Sequence, residues 1–209
     1  MRLAALALVV LALAGCGGDG GSEPTAEGCA DVEAPEAKSD GGATKPSTPL
    51  DEAKTYVLVV ETSCGTFEIT LDQGLAPKTA ASLVALANDG FFDNTTFHRI
   101  VPGFVIQGGD PTASGSGGPG YSTVDAPPSD AAYTRGVVAM AKTQLEAPGT
   151  SGSQFFVVTA EDAGLPPEYA IVGKVTQGYE TVERIDALGD ANEQPTQPVV
   201  IESVTVRES

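Results

Sequence analysis

The sequence predicts a mainly β domain whose short strands form a closed or nearly closed antiparallel barrel, accompanied by two helices. Eight short segments after residue 53 are enriched in β-branched and aromatic residues, which is typical of strands. Two segments have helical periodicity, and they do not alternate with strands as they would in a parallel sheet. Glycine-rich turns separate the strands, which also favours a barrel over a doubly wound α/β fold.

The first predicted elements are a hairpin and a helix. Residues 56–62 form a strand by composition, and residues 66–71 alternate apolar and polar side chains as a half-buried strand does. The helix covers residues 77–89, because Pro77 suits a first turn and apolar residues recur at helical spacing. Gly90 ends it as a C-cap residue. Further strands are predicted at residues 96–100, 104–107, 137–141, 155–159, 171–175 and 199–206, and a second helix at residues 179–188.

The charge of the chain limits the classes of partner. The 209 residues include 11 Lys and Arg against 28 Asp and Glu, for a net charge of −17. Nucleic acid is therefore not expected as a partner, because phosphate binding needs a basic surface. Hydrophobic residues make up 41% of the chain, which is enough for the core of one domain plus additional segments.

The first 15 residues have the pattern of a targeting segment. Arg2 precedes an apolar run at residues 3–14 that is too short to span a bilayer as a helix. The run is followed by Gly15 and Cys16, which resembles a bacterial lipobox whose cysteine becomes lipidated. The alternative is an ordinary secretory signal peptide with an incidental cysteine. The lipobox predicts an extracytoplasmic protein anchored to the bacterial cell membrane by its lipidated N-terminus.

Residues 16–53 are predicted to form a disordered, acidic tether rich in Gly and Pro. They contain almost no large apolar side chain, so they cannot bury enough surface to offset the entropy lost on ordering. Cys29 in this segment and Cys64 in the first hairpin turn are either two free thiols or a disulfide, and an exported protein lies where disulfides persist. The folded domain is predicted at residues 54–209.

Two motifs carry most of the functional information. Residues 97–110 have the sequence FHRIVPGFVIQGGD, and residues 152–156 have the sequence GSQFF. Together they resemble the FHR, QGGD and GSQFF motifs of the cyclophilin family of peptidyl-prolyl cis-trans isomerases. The resemblance covers residues 54–209. It implies an eight-stranded antiparallel barrel with a helix at each end and an isomerase that accelerates rotation about X-Pro bonds without a cofactor or metal.

Arg99 and Gln107 are the candidate catalytic residues. A charge in an apolar strand is costly unless it has a partner or a task, and the alternative for Arg99 is a surface ion pair. The resemblance implies that the Arg99 guanidinium hydrogen-bonds near the substrate prolyl nitrogen, and that Gln107 binds the substrate backbone and orients the arginine. A donor at that nitrogen binds the twisted imide better than the planar one, as catalysis of the rotation requires.

The resemblance also implies a set of substrate-binding residues around a proline pocket with aromatic walls. Composition alone would assign the aromatic members to an ordinary core. Lys142 stands where the family pattern has asparagine, Gly164 where many members have tryptophan, and Tyr169 where they have histidine. These departures predict retained activity with weak binding of cyclosporin-type inhibitors. The predicted substrate-binding residues are Phe104, Val105, Met140, Ala141, Lys142, Phe156, Leu165 and Tyr169.

Other motifs predict no separate site. Residues 115–120 match the glycine pattern of a dinucleotide-binding loop, but no helical pattern follows them. His98 is the single histidine, so a zinc site would lack ligands, and its role is predicted to be mainly structural.

The sequence therefore predicts a lipid-anchored peptidyl-prolyl isomerase, expected to be a monomer. Its expected substrates are proline-containing, unfolded or partly folded exported polypeptides, whose folding it assists. One alternative is a non-catalytic proline-peptide-binding or chaperone-like lipoprotein that keeps the pocket without turnover, for which the departures at Lys142, Gly164 and Tyr169 are the reason. A structural or solute-binding lipoprotein is the other alternative.

Overall fold

The structure, a computed structural model, describes residues 28–209. The predicted signal segment, Cys16 and the first part of the predicted tether lie outside the described residues. Within the described range the elements are, in order, β1 (Tyr56–Thr62), β2 (Gly65–Leu71), α1 (Pro77–Asn88), β3 (Thr95–Thr96), β4 (Arg99–Val101), β5 (Val105–Gly108), β6 (Thr123–Val124), β7 (Val137–Met140), β8 (Thr150–Ser151), β9 (Phe155–Val158), β10 (Ile171–Gln177), α2 (Tyr179–Asp186) and β11 (Val200–Glu208).

The predicted strands and helices lie close to these bounds, and one predicted strand is divided. The segment predicted at residues 96–100 overlaps the end of β3 and most of β4, because Phe97 and His98 leave the ladder between them. The sequence does not predict β6 and β8, which have two residues each and pair with each other apart from the main sheet. Such short bridges contain too few residues to produce a periodic pattern.

Nine strands form one curled antiparallel sheet in the order β3-β11-β1-β2-β10-β7-β9-β5-β4. The mainly β, antiparallel architecture with two helices is thus confirmed. The sheet is a half-barrel rather than the predicted closed ring of eight strands, because its ladder ends at β3 on one side and at β4 on the other. Within residues 28–209, the isolated bridge between Thr96 and Asp110 is what joins β3 to the segment after β5.

Alternation along the strands separates a main core from a second apolar cluster on the opposite face of the sheet. Met140 of β7 and Phe155 of β9 are buried in the main core. Their chain neighbours Ala139 and Phe156 belong to the second cluster. Because successive side chains of a strand point to opposite faces, one strand contributes to both clusters. This second cluster is the support of the site described below.

The two helices cover the main core. Helix α1 buries the apolar residues that recur at helical spacing, Ala80, Leu83, Val84 and Ala87. Gly90 follows the helix with a φ of +65°. That left-handed backbone suits glycine, which has no Cβ to clash. Helix α2 buries Val182 and Ile185. Neither helix of the described part is long and apolar enough to cross a membrane.

Residues 28–50, here called the strap, lie along the folded domain although they contain no helix or strand. Their backbone donates hydrogen bonds to the segment after β5: Lys38 N to Pro111 O at 2.8 Å, and Gly41 N to Gly118 O at 2.9 Å. The Lys38 ammonium also donates to Phe91 O, just beyond α1, at 3.0 Å.

A disulfide between Cys29 and Cys64 joins the N-terminal end of the strap to the turn between β1 and β2. Beside it, Ala30 N donates to Ser63 O at 2.7 Å. The contacts of the strap differ from the disordered tether that composition predicts for these residues. Composition reports how much apolar surface a segment can bury, whereas polar contacts and a covalent link hold the strap on the domain.

Candidate active site

The hairpin of β4 and β5 places the two predicted catalytic side chains opposite each other. Arg99 and Gln107 are Cα partners in this antiparallel pair. Directly paired residues project their side chains from the same face of a sheet. The Arg99 guanidinium accordingly donates from Nη1 to Gln107 Oε1 at 3.4 Å. Strand register therefore brings together two residues that lie eight positions apart in the sequence.

A cavity of about 220 Å³ opens beside this pair. Phe156 and Val105 are buried beneath it, whereas Arg99 and Gln107 are half-buried. An apolar floor with a charged group beside it suits a small ring that carries a polar amide. Nine of the ten predicted catalytic and substrate-binding residues line the cavity: Arg99, Phe104, Val105, Gln107, Ala141, Lys142, Phe156, Leu165 and Tyr169.

Met140, the tenth predicted residue, does not line the cavity. Its side chain is fully buried in the main core, on the other face of the sheet from Ala139 and Ala141. The prediction placed three consecutive residues in one site, but a strand alternates its side chains between two faces. Met140 N donates instead to Ala170 O at 2.9 Å, so this residue ties β7 to the segment before β10.

Aromatic rings pack edge to face behind the cavity. The Phe156 and Tyr169 rings have centroids 5.7 Å apart at 83°, and the Tyr169 and Tyr133 rings are 5.9 Å apart at 86°. The Tyr133 hydroxyl donates to Tyr169 O at 2.7 Å and accepts from Tyr169 N at 3.0 Å. Both bonds fix the backbone of Tyr169, so this side chain has a defined position in the wall.

A chain of amide hydrogen bonds runs from Arg99 away from the cavity. Gln107 Nε2 donates to Gln154 Oε1 at 3.0 Å, and Gln154 Nε2 donates to Gly117 O at 2.9 Å. Each glutamine uses its oxygen as an acceptor on one side and its nitrogen as a donor on the other. This chain fixes the orientation of the Gln107 amide, and its oxygen is the end that faces Arg99.

Arg99 has a second contact, on the opposite edge of its guanidinium. Its Nε lies 2.7 Å from Oε2 of Glu193, a residue of the loop between α2 and β11. The two side chains are 33% and 49% exposed, so water screens this ion pair.

The Lys142 side chain is buried, and its ammonium contacts a carboxylate and an aromatic ring. Its side chain is 2% exposed, and Nζ lies 2.9 Å from Glu168 Oε2 and 5.5 Å from the centroid of the Tyr169 ring. Burial of a lysine is tolerated when a carboxylate and a ring face accept its charge. Lys142 therefore forms part of the wall between Glu168 and Tyr169 rather than a free positive charge in the cavity.

His98, the residue before Arg99, has a largely buried imidazole. Both ring nitrogens are buried without a hydrogen-bond partner among the described residues. Burial is the main cause that lowers the pKa of His98, and the Arg99 charge acts in the same direction, whereas the Asp110 carboxylate opposes it. The imidazole is therefore neutral at neutral pH, in agreement with a structural role.

Gly109 of the first motif is required by close packing. Gly109 has a φ of +84°, and a Cβ there would lie 2.5 Å from Ser153 O. Asp110, which follows it, is fully buried. Burial alone would raise its pKa, but hydrogen bonds from Thr112 and Gly117 outweigh this effect and lower it. The motif thus holds β5 close to the GSQFF segment, which is how Gln107 reaches Gln154.

A larger cavity, of about 400 Å³, adjoins the first and shares Gln107, Ala141 and Lys142 with it. The loop at residues 115–122 forms one side, and Asp40 of the strap contributes to its rim. Asp40 Oδ1 accepts a hydrogen bond from Gly118 N at 2.9 Å. Residues 115–120 thus form part of a cavity wall, where their sequence predicts only a flexible loop.

Sequence reasoning missed two residues that contact the catalytic pair. Gln154 lies inside the GSQFF motif, so the motif itself could have indicated it. Glu193 lies in a loop where no motif was found, and only the structure shows its ion pair with Arg99. Within residues 28–209, no group of three or more His, Cys, Asp and Glu is arranged to hold a metal ion.

The comparisons with known proteins agree with this geometry. Residues 57–206 match the family model described as cyclophilin type peptidyl-prolyl cis-trans isomerase/CLD. The chain therefore belongs to the cyclophilin family of peptidyl-prolyl cis-trans isomerases. It is 37% identical over 171 residues to peptidyl-prolyl cis-trans isomerase A of Mycobacterium tuberculosis, which covers 73% of this chain and 92% of that protein. It is 36% identical over 174 residues to peptidyl-prolyl cis-trans isomerase B of Streptomyces anulatus, at 74% and 98% coverage.

Solved cyclophilins also share the fold. A crystal structure of a Cryptosporidium parvum cyclophilin type isomerase superposes with a TM-score of 0.67 at 31% identity, covering 73% of this chain and 98% of that one. A second structure of that isomerase, determined in the presence of the dipeptide Ala-Pro, has a TM-score of 0.66 at 32% identity and covers 72% and 98%. The predicted isomerase activity is thus confirmed at the level of the family, and the binding-only alternative is not favoured.

Proposed function

We propose that this isomerase accelerates X-Pro rotation by holding the proline ring in the 220 Å³ cavity with Arg99 beside the prolyl nitrogen. The observation that carries the proposal is the position of a half-buried guanidinium at a cavity lined by Phe104 and Phe156. Twisting the peptide bond returns the lone pair to the nitrogen, which then becomes a hydrogen-bond acceptor. A donor at this place stabilises the twisted form more than either planar isomer.

The energy required is within reach of such a site. The uncatalysed rotation has a barrier of about 18–20 kcal/mol and takes tens of seconds or longer. Shortening about 100 s to about 1 ms needs roughly 7 kcal/mol of preferential stabilisation. One charged hydrogen bond supplies about 1.5–3 kcal/mol of it. The rest is assigned to fixing the ring among the apolar walls.

A protease-coupled isomerase assay on an Ala-Pro peptide tests the catalyst. We expect Arg99→Ala to lower kcat/KM about 100-fold or more, because it removes the one cationic donor of the proposed mechanism. Arg135→Ala is the matched control, since Arg135 pairs with exposed Glu183 and does not line the cavity. A folded Arg99→Ala variant with wild-type turnover would overturn the proposal. If the wild-type protein binds the peptide but does not exceed the uncatalysed rate, the binding module is correct instead.

We further propose that the substrates are exported, incompletely folded polypeptides met at the outer face of a bacterial cell membrane. The lipobox pattern at Cys16 supports this location, and the Cys29–Cys64 disulfide fits an oxidising compartment. Cys16→Ser tests the anchor: lipid label should disappear from the protein, which should move from the membrane to the soluble fraction. Labelled, membrane-bound Cys16→Ser protein would refute lipidation at this residue.

Two finer structural points belong to the same proposal. We propose that the half-barrel closes functionally through the Thr96–Asp110 bridge, which positions the β4–β5 hairpin against β3. We also propose that the enzyme acts as a monomer, because a single chain supplies both Arg99 and the apolar walls of the cavity. Sedimentation of the active protein tests the second point, and activity that appears only with a dimer would refute it.

A further inference from the structure

We propose that Glu193 is a positioning residue for Arg99, and that the conformation of its loop holds Glu193 in place for this role. This inference deepens the proposed function and rests on it. Glu193 lies between α2 and β11, far in sequence from the motifs, and its carboxylate contacts the guanidinium at Nε, 2.7 Å away. Gln107 contacts the same group at Nη1.

The backbone of Glu193 adopts a conformation that glutamate rarely takes. Its φ is +64°, in the left-handed region that favours glycine. An exposed ion pair stabilises a fold little, and this pair is a third to a half exposed. The small stabilisation from the ion pair does not offset the cost of the strained backbone. Stability of the fold therefore does not explain why residue 193 is a glutamate. Strain of this kind is found where the structure fixes a functional geometry.

Several hydrogen bonds hold the loop in this shape. Asp190 Oδ1 accepts from Asn192 N and from Gln194 N, both at 2.8 Å. These two bonds lower the pKa of Asp190, so the carboxylate that organises the loop remains charged at neutral pH. Glu193 O accepts from Ile100 N at 3.0 Å, which fixes the loop to the residue next to Arg99. The position of Glu193 is therefore set relative to β4.

The two contacts determine which part of the guanidinium remains available. Glu193 occupies Nε, Gln107 lies at Nη1, and Nη2 has no hydrogen-bond partner among the described residues. Arginine has several rotatable bonds, and its unrestrained side chain spends little time in any one geometry. Contacts on two edges fix the plane of the guanidinium and leave its Nη2 protons free to bind a substrate. Glu193 does not touch the substrate in this arrangement; it acts through Arg99.

Three substitutions separate positioning from stability. Glu193→Ala removes the contact, and we expect kcat to fall about five- to tenfold with KM nearly unchanged, since the loss of one oriented contact is of this order. Glu193→Gln keeps an acceptor of the same shape and should restore kcat to within about twofold of wild type. Glu193→Gly removes the contact and relieves the left-handed strain, so kcat should fall as for alanine while Tm does not fall. Gln194→Ala, in the same loop, is the control and should leave kcat unchanged.

A double-mutant cycle assigns the effect to Arg99. If Glu193 acts through the guanidinium, Glu193→Ala should have no further effect in the Arg99→Ala background. An equal loss in both backgrounds would overturn the inference, as would wild-type kcat in Glu193→Ala or a Glu193→Gly variant whose activity rises with its stability. These results differ from failure of the proposed function, which would appear as full activity of Arg99→Ala alone.

Discussion

The face of the sheet that lines the 220 Å³ cavity, here called the cavity face, and the strap both have defined positions, but different forces hold them in place. The cavity face is fixed by strand register, with Arg99 opposite Gln107 and with Ala139 and Phe156 on one side of the sheet. The strap has no ladder and is held by one disulfide, by hydrogen bonds, and by packing of Ala43 and Leu50 against the main core. The comparison teaches that catalytic geometry and attachment of the strap rest on different kinds of interaction, which meet at the loop at residues 115–122. Changes in one region should therefore leave the other largely intact.

The largest expected effect on stability comes from the disulfide. Replacing both Cys29 and Cys64 with alanine removes a cross-link across a sequence separation of 35 residues. On the chain-entropy model this costs about 3–4 kcal/mol of unfolding free energy, or a fall in Tm on the order of 10 °C. Denaturant unfolding of the variant, compared with that of reduced and oxidised wild type, measures this loss of unfolding free energy.

The same variant tests the independence of the two regions. Isomerase activity per folded molecule should remain within about twofold of wild type at 25 °C, since the disulfide lies outside the cavity lining. A folded variant that has lost turnover would show that the strap supports the cavity after all.

The next largest effect should be confined to the cavity face. Gln107→Leu removes the acceptor for Arg99 Nη1 and breaks the chain of amides to Gln154. We expect kcat/KM to fall about fivefold, because one hydrogen bond contributes about 1 kcal/mol, and thermal stability to change little. Gln177→Leu on β10, far from the cavity lining, serves as the control. The comparison fails if Gln107→Leu loses several kcal/mol of stability instead.

A pH dependence should arise from His98. Its pKa in the folded protein is lowered by burial, so the unfolded chain binds more protons at mildly acidic pH. Stability should therefore rise with pH through the range just below the ordinary histidine pKa, with a contribution of at most about 1.4 kcal/mol per pH unit. Thermal unfolding at pH 5, 6, 7 and 8 should give a shallower slope for His98→Asn than for wild type. Parallel slopes would mean that His98 does not titrate differently on unfolding.

The smallest expected effect is on the strap. Lys38→Met removes two hydrogen bonds, to Gly90 O at 3.2 Å and to Phe91 O at 3.0 Å. Burial lowers the pKa of Lys38, which shows that its charge already loses hydration there, so the net loss should be below about 1 kcal/mol. Limited proteolysis of residues 28–50 is the sensitive measurement, with Glu36→Met as control, because Glu36 is an exposed residue of the same strap. Proteolysis no faster than for the control would show that Lys38 does not hold the strap.

The sequence was sufficient for most of the strands and for the cavity, and the reasons are local. Phe104, Phe156 and Arg99 lie in motifs whose spacing is set by strand pairing, so a linear pattern encodes their proximity. Met140 was misplaced because the prediction assigned the consecutive residues 140–142 to one site, while a strand sends neighbouring side chains to opposite faces.

What the sequence could not predict depends on contacts between distant segments. Glu193 is 94 positions from Arg99, and the bond between them requires a left-handed residue in a loop without a motif. Four hydrogen bonds between the strap and the domain join main-chain atoms, which nearly every residue type can supply, so composition carries no trace of them. The contact between β3 and the segment after β5 likewise depends on a single bridge rather than on a periodic pattern.

The place of the disulfide has a mechanical consequence. Cys29 lies at the start of the strap, and its sulfur is bonded to Cys64 in the turn between β1 and β2. Any tension that reaches the domain through the preceding residues is transferred at Cys29 to this rigid hairpin. Residues 30–50 then bear no force, and none is transmitted to the glycine-rich loop at residues 115–120, which they contact. Force applied through the N-terminus should therefore leave the position of Arg99 unchanged.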